Sequence, residues 1–303
     1  LWIRSWGKKS SIAMEVNAAA PAKSKTEIAK QLGISRQSLY YKPKLPEKDQ
    51  LLKYQIEIVM EGNKAYGHKR IADALSINKK RVLRVMKLFG LKPKRSRKPP
   101  AKPKDQDQTP MAIPNLIKGI LIEAPNYVWV YDFTYLWFFN RFVYLATVED
   151  VFTREVVGWS ISFRHDANLV CQAMMNALEN HQAPKIGHSD QGSEYRSTKY
   201  QSLLAAAGIL PSMSKKGSPW ENGYQESFYS QFKLELGHPE CYADFGQLIE
   251  AIALQIHYYN HQRIHSALRC PPAVFAAKHQ TVMEVLKVKK IVNFRNTANI
   301  LTV

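Results

Sequence analysis

The stretch YVWVYDFTYLWFFNRFVYLATVEDVFTREVVGWSISF, residues 127–163, is dense in aromatic and β-branched side chains. Short polar breaks divide it into YVWVYDFTYLWF, RFVYLATVEDV and EVVGWSISF, which predicts three consecutive strands in a meander. Downstream, ANLVCQAMMNALENH has helical spacing and PKIGHSD reads as a short strand. STKYQSLLAAAG reads as a helix closed by Gly208, and WENGYQESFYSQFKLELG as another closed by Gly237. Strands followed by alternating helix and strand predict an α/β layered core.

The same apolar stretch is cut by Asp132, Asn140 and Arg141, so no run of about 20 apolar residues is available to span a bilayer. No secretory signal peptide is evident, and a membrane partner is not expected. The chain begins at Leu1 rather than Met, which leaves open a fragment, a fusion product or an unusual start. Cys171, Cys241 and Cys270 have no paired spacing for a zinc knuckle or disulfide framework, as expected of core thiols in a reducing cytosol.

The net charge of +18 is unevenly spread. Residues 1–110 carry 26 Lys and Arg against 9 Asp and Glu, and the remainder carries 17 against 16. A basic front and a nearly neutral back suggest a polyanion-binding region joined to something else, with a solubilising surface as the alternative.

Within the basic front, KTEIAKQLGISRQSLYY reads as two short helices around Gly33, with Ile28 and Leu32 on one face and Ser35 as a cap. That grammar is helix-turn-helix. Arg36, Gln37 and Ser38 would then face base edges in the major groove. YGHKRIADALSINKKRVLRVMKLFGLKPKR repeats the pattern: Ile71 and Leu75 on one helix, Asn78 as cap, then Val82, Val85, Met86 and Phe89, with Gly90 as terminator. Lys69, Arg70, Lys79, Lys80, Arg81 and Arg84 are its candidate DNA contacts. An ordinary helical hairpin and a solvated basic face are the respective alternatives. PKRSRKPPAKPKDQDQTP has the composition of a semi-extended linker, and its Lys94, Arg95, Arg97 and Lys98 are further candidates.

Asp132 falls in the middle of the first predicted strand, where an unpaired carboxylate is costly. Asp190 ends a later strand, at the edge where α/β sheets commonly place ligand groups. Glu226 lies one turn into the helix that follows. Converging carboxylates suit hard divalent cations with open positions for water and phosphate. Two such ions about 4 Å apart promote in-line phosphoryl displacement. Spacing alone does not single out this triple among 25 acidic residues.

These residues resemble a known family. YDFTY around Asp132, HSDQGSEY around Asp190, the 35 residues between Asp190 and Glu226, and ENGYQESFYSQFKLE are similar to the acidic triad of bacterial insertion-sequence transposases with a retroviral-integrase-like core. The branch resembled is the OrfB type of the insertion-sequence-three family. YNHQRIHSALRCPPAVF (259–275), YGHKRI and KKRVLRVMKLFGL carry the likeness over roughly residues 60–280.

The resemblance implies a ribonuclease H-like core, a mixed sheet flanked by helices, preceded by small all-α helix-turn-helix modules. It implies Asp132, Asp190 and Glu226 as ligands of two Mg²⁺ or Mn²⁺ ions, and Lys233 as a basic residue approaching DNA. The implied activity is phosphodiester hydrolysis and 3′-OH strand transfer on double-stranded DNA, both transposon ends and target, by a homo-oligomer in the bacterial cytoplasm at the nucleoid. No covalent enzyme intermediate and no nucleotide cofactor are implied. Glu221 departs from the Asp usual before Asn222 in this branch.

The expected organisation is residues 1–44 with the first helix-turn-helix, 45–92 with the second, a basic linker over 93–114, the catalytic core over 115–280 and a tail over 281–303. His257, His261 and His265 recur every four residues and would stack on one continuous helix, an alternative metal site. No Walker loop or GxSxG elbow is present. A catalytically inactive DNA-binding regulator and a structure-selective metal nuclease are the competing functional readings.

Overall fold

The computed structural model describes residues 24–31, 33, 35–37, 45–95, 113–215 and 223–279. The chain divides into two units, Leu1–Tyr54 and Gln55–Val303. In the first, α1 (Lys25–Gln31) opens on a reciprocal cap. Ser24 Oγ accepts from the Glu27 amide and the Glu27 carboxylate accepts from the Ser24 amide. Gly33 follows at φ +60°, and Arg36 and Gln37 lie in a short turn. Leu32 and Ser38 lie outside the described residues.

α2 (Leu45–Gly62) leads to α3 (His68–Ala74) and α4 (Lys79–Leu88). Asn78 caps α4 through its side chain, which accepts from the Lys80 amide, and Val82, Val85 and Met86 are buried beneath it. Leu75 follows α3 instead of lying on it, and Gly90 ends the α4 turn at φ +68°. This pair of helices is tied to the rest of its unit through Tyr66, whose hydroxyl accepts from the Ile264 amide at 2.6 Å.

The expected meander is present. β1 (Val128–Phe138), β2 (Arg141–Asp150) and β3 (Val156–Ser162) are antiparallel neighbours. After α5 (Ala167–Asn180), β4 (Ile186–Ser189) returns parallel to β1 on its other side. Two short helices, α6 (Ser193–Arg196) and α7 (Thr198–Ala206), lead into β5 (Leu210–Met213), parallel to β4. The sheet order is therefore β3-β2-β1-β4-β5. Beyond it come α8 (Gly223–Leu236) and α9 (Phe245–His261), and residues 272–279 are also helical.

Alternation along the strands feeds two cores. Trp129, Tyr131, Val148 and Val157 pack with Leu169, Val170, Met174 and Leu204 on the side of α5 and α7. Leu136, Phe138, Val143 and Leu145 pack with Phe228, Phe232, Leu248 and Ile256 on the side of α8 and α9. The result is a mixed sheet between helical layers, a ribonuclease H-like α/β fold. Gly187 permits the tightest approach inside it: a Cβ there would fall within 2.8 Å of the Tyr131 ring. Among the described residues no helix is long and apolar enough to cross a membrane.

Candidate active site

β1 and β4 pair over only three positions, Val128 with Ile186, Trp129 with Gly187 and Val130 with His188. Asp132 and Asp190 each stand two residues further, level with one another where the ladder ends. Asp190 is the residue after β4, and its Oδ1 accepts from the Gly192 amide at 2.9 Å, a side-chain-closed turn. Asp132 Oδ1 accepts from the Phe133 amide at 2.8 Å.

Glu226 arrives from the first turn of α8. The helix is pinned to β1 on either side of it. Gln225, fully buried, donates through Nε2 to the Val130 carbonyl at 2.9 Å and accepts from Thr147 Oγ1 at 2.9 Å. One turn further on, the Tyr229 hydroxyl is shared between the Asp132 carbonyl at 2.7 Å and Thr147 Oγ1 at 2.8 Å. Thr147 itself faces Asp132 across the β1–β2 ladder. A buried polar network thus sets the position of the helix that carries Glu226.

Asp132 feels the charge of both other acids. Burial raises the Asp132 carboxyl to about 7, and the charges of Asp190 and Glu226 add to the rise; the Phe133 amide and Lys233 oppose it. Asp190 is raised by burial, with Glu194 adding to it. Burial also acts to raise Glu194, but its hydrogen bond with His165, at 3.0 Å, and further donors hold it below its ordinary value. The His165 ring stacks on Phe133, next to Asp132. Oxygen-only donors that repel one another fit a hard divalent cation. Among the described residues, however, no three His, Cys, Asp or Glu side chains are already arranged to hold one metal ion.

The expected DNA contacts scatter more widely. Lys79, Lys80, Arg81 and Arg84 are exposed along α4, and Lys69 and Arg95 are exposed nearby. Arg36 and Gln37 are exposed in the other unit. Arg70 is half-buried and donates to Ser266 Oγ at 2.8 Å, and Lys94 Nζ donates to the Leu234 carbonyl at 3.1 Å. Lys233 lies over the Tyr135 ring, 4.8 Å from its centroid. Arg97, Lys98 and Glu221 lie outside the described residues.

The histidine stack is corrected. His257 and His261 adjoin on α9 with tilted rings 4.4 Å apart, but that helix ends at His261, so His265 leaves the series. Arg263 turns inward there to Glu235, at 2.8 Å and 1% exposed, which takes the chain off the helical path.

Sequence reading missed Gln225, Tyr229, Thr147, His165 and Glu194 as supports of the site. Gln225 and Tyr229 flank Glu226 at positions −1 and +3, and a polar residue beside an apolar helix face was the available signal. Thr147 and His165 had none, because their partners come from distant strands and loops.

Two family models described as integrase core domain match residues 122–219 and 207–272. The transposase for insertion sequence element IS904 of Lactococcus lactis is 38% identical over 229 residues, covering 72% of this chain and 90% of that protein. Transposase InsF for insertion sequence IS3A of Escherichia coli is 35% identical over 182 residues, 58% of this chain and 63% of that protein. The HTLV-2 integrase catalytic core domain, solved in complex with magnesium, aligns with 97% of its own chain and 50% of this one at 17% identity and a TM-score of 0.40. On the extent of the sequence matches, the chain belongs to the insertion-sequence-three family of transposases, built on an integrase core.

Proposed function

We propose that Asp132, Asp190 and Glu226 form the catalytic centre and bind two Mg²⁺ or Mn²⁺ ions. The observation that carries this reading is the Asp132 carboxyl, raised to about 7 by burial and by both other acids. When bound, such ions activate an attacking oxygen and neutralise charge on the leaving oxygen of an in-line displacement. The chain's own groups do the rest. Tyr229 and Gln225 fix α8 against β1, the Gly192 amide orients Asp190, and Lys233 offers a cation beside the acids to a DNA phosphate.

In the first step water attacks a phosphodiester at a transposon end, the P–O3′ bond breaks, and a 3′-OH is freed. In the second that hydroxyl attacks a target phosphodiester. One P–O bond forms as another breaks, so no nucleotide is consumed. The protein acts as a homo-oligomer that holds two ends in the bacterial cytoplasm, at the nucleoid. Exposed basic side chains on α4 and near Arg36 supply end binding.

The test incubates wild type and Glu226→Gln with labelled duplexes from both flanks of the gene, with Mg²⁺, Mn²⁺ or chelator. Metal-dependent joining by wild type alone is expected. Binding without cutting would replace this reading with a regulator, and cutting without joining would replace it with a nuclease.

A further inference from the structure

On the flank of α8 turned away from Tyr229 lies a cavity of about 700 Å³. Among the described residues, Arg70, Lys118, Arg154, Lys215 and Arg263 line it, with Glu149 as the one acid. Arg263 is compensated by Glu235. Arg154 has no ion pair among the described residues; its guanidinium lies over the Tyr224 ring at 4.0 Å. Cations gathered around one half-open space repel, and a counter-charge entering that space relieves them.

The polar groups at the edge of the cavity fit an acceptor-rich guest. Glu149 is 2% exposed, and its Oε2 makes no hydrogen bond. Burial raises this carboxyl to about 8, against the opposing charge of Arg154 and with Asp150 adding to the rise, which favours a protonated oxygen able to donate. His265 Nδ1 is also buried without a partner. Burial and the charges of Arg154, Arg263 and Arg70 hold that ring down to about 4 and hence neutral. Ile117, Phe228 and Tyr259 give the cavity an apolar wall. Its volume falls in the range of small-ligand sites and exceeds what a bare phosphate fills.

We propose that this cavity is a second nucleic-acid site, distinct from the acidic triad, which takes one phosphate-bearing nucleotide unit. The phosphate sits among Arg70, Lys118 and Arg154, and the sugar and base lie against Ile117, Phe228 and Tyr259. This gives a role to the segment following α9, which the catalytic centre does not use. The inference rests on DNA being the substrate, and its source is either a strand of bound DNA or a free nucleotide.

Two measurements on the full chain, neither requiring metal or turnover, decide it. The first follows thermal unfolding of wild type, Arg154→Gln and Lys118→Gln with inorganic phosphate, dAMP or deoxyadenosine at matched ionic strength. The second follows the salt dependence of binding to a DNA duplex. At ten times Kd, dAMP should raise the wild-type Tm by roughly 3 °C, deoxyadenosine should not, and each variant should lose at least half the rise. The log–log salt slope for DNA should fall by about one in each variant.

Stabilisation with an unchanged slope assigns the site to free nucleotides. A reduced slope without stabilisation assigns it to the DNA backbone. No stabilisation of wild type and equal slopes in folded variants overturn the proposal. Loss of joining in Glu226→Gln is read separately, so failure of the catalytic reading is not confused with failure of this one.

Discussion

The hydroxyl of Tyr229 donates across 2.7 Å to the main-chain carbonyl of Asp132, so the helix carrying one acid is bonded to the residue that supplies another. Any tilt of α8 that withdrew Glu226 would break this contact, together with the Gln225 bond to Val130.

Tyr229→Phe removes that contact and keeps the ring. It should cost about 1–2 kcal/mol of stability, because the Thr147 hydroxyl and the Asp132 carbonyl lose a buried partner. Joining should slow while duplex affinity stays within twofold. Urea unfolding and single-turnover joining, run together, check this. An unchanged joining rate in a destabilised protein would reduce Tyr229 to a core residue.

Asp132→Asn should abolish joining, by roughly a thousandfold or more, yet stabilise the metal-free protein. The folded carboxyl titrates near 7 against an ordinary 3.8. Between those values the folded state holds more protons, so wild-type stability falls as pH rises through that window. Asparagine removes the falling component. A Tm at pH 8 above that of wild type is the expected result.

Glu149 supplies the same sign from a different place. Its carboxyl is raised from 4.5 to about 8 by burial, so its contribution is complete below pH 4.5 and is lost as pH climbs to 8. Glu149→Gln should therefore flatten the decline between pH 5 and 8, by up to roughly 1.4 kcal/mol per pH unit. Denaturant curves at several pH values would show it. Parallel profiles for the two proteins would mean that Glu149 is ionised in the fold.

Gly187→Ala tests the packing beneath the site. The added methyl meets the Tyr131 ring, and overpacking of this kind costs about 1–3 kcal/mol. Gly62→Ala, with open space around its Cβ, serves as control and should stay within about 0.5 kcal/mol or stabilise. Equal urea midpoints for the two variants would show that β4 gives way without cost.

Much of the architecture was legible because it is local. The aromatic run 127–163 separates into strands by its polar breaks, and Gly208 and Gly237 mark helix ends at positive φ. β5 escaped notice: it has four residues, one of them Pro211, which a strand tolerates at a sheet edge. α2 has only a weak signal in the sequence, although Leu52 and Ile56 are spaced for one buried face. The three acids are proposed through family resemblance, since spacing alone does not choose them. Their supports and the basic cavity were not visible, because those are built by residues far apart in the chain, Thr147 with Tyr229 and Arg70 with Arg263.

The three-position ladder between β1 and β4 makes the separation of two acids a main-chain dimension. Neighbouring strands lie about 4.8 Å apart whatever their side chains, and Asp132 and Asp190 depart from that spacing two residues on. Substitution along either strand alters packing and leaves this gauge alone. Loss or gain of a single residue between Val128 and Asp132, or between Ile186 and Asp190, turns one acid to the opposite face. The proposed site is therefore permissive to changes of identity and brittle to changes of length, so a survey of one-residue deletions would map its limits more sharply than a survey of substitutions.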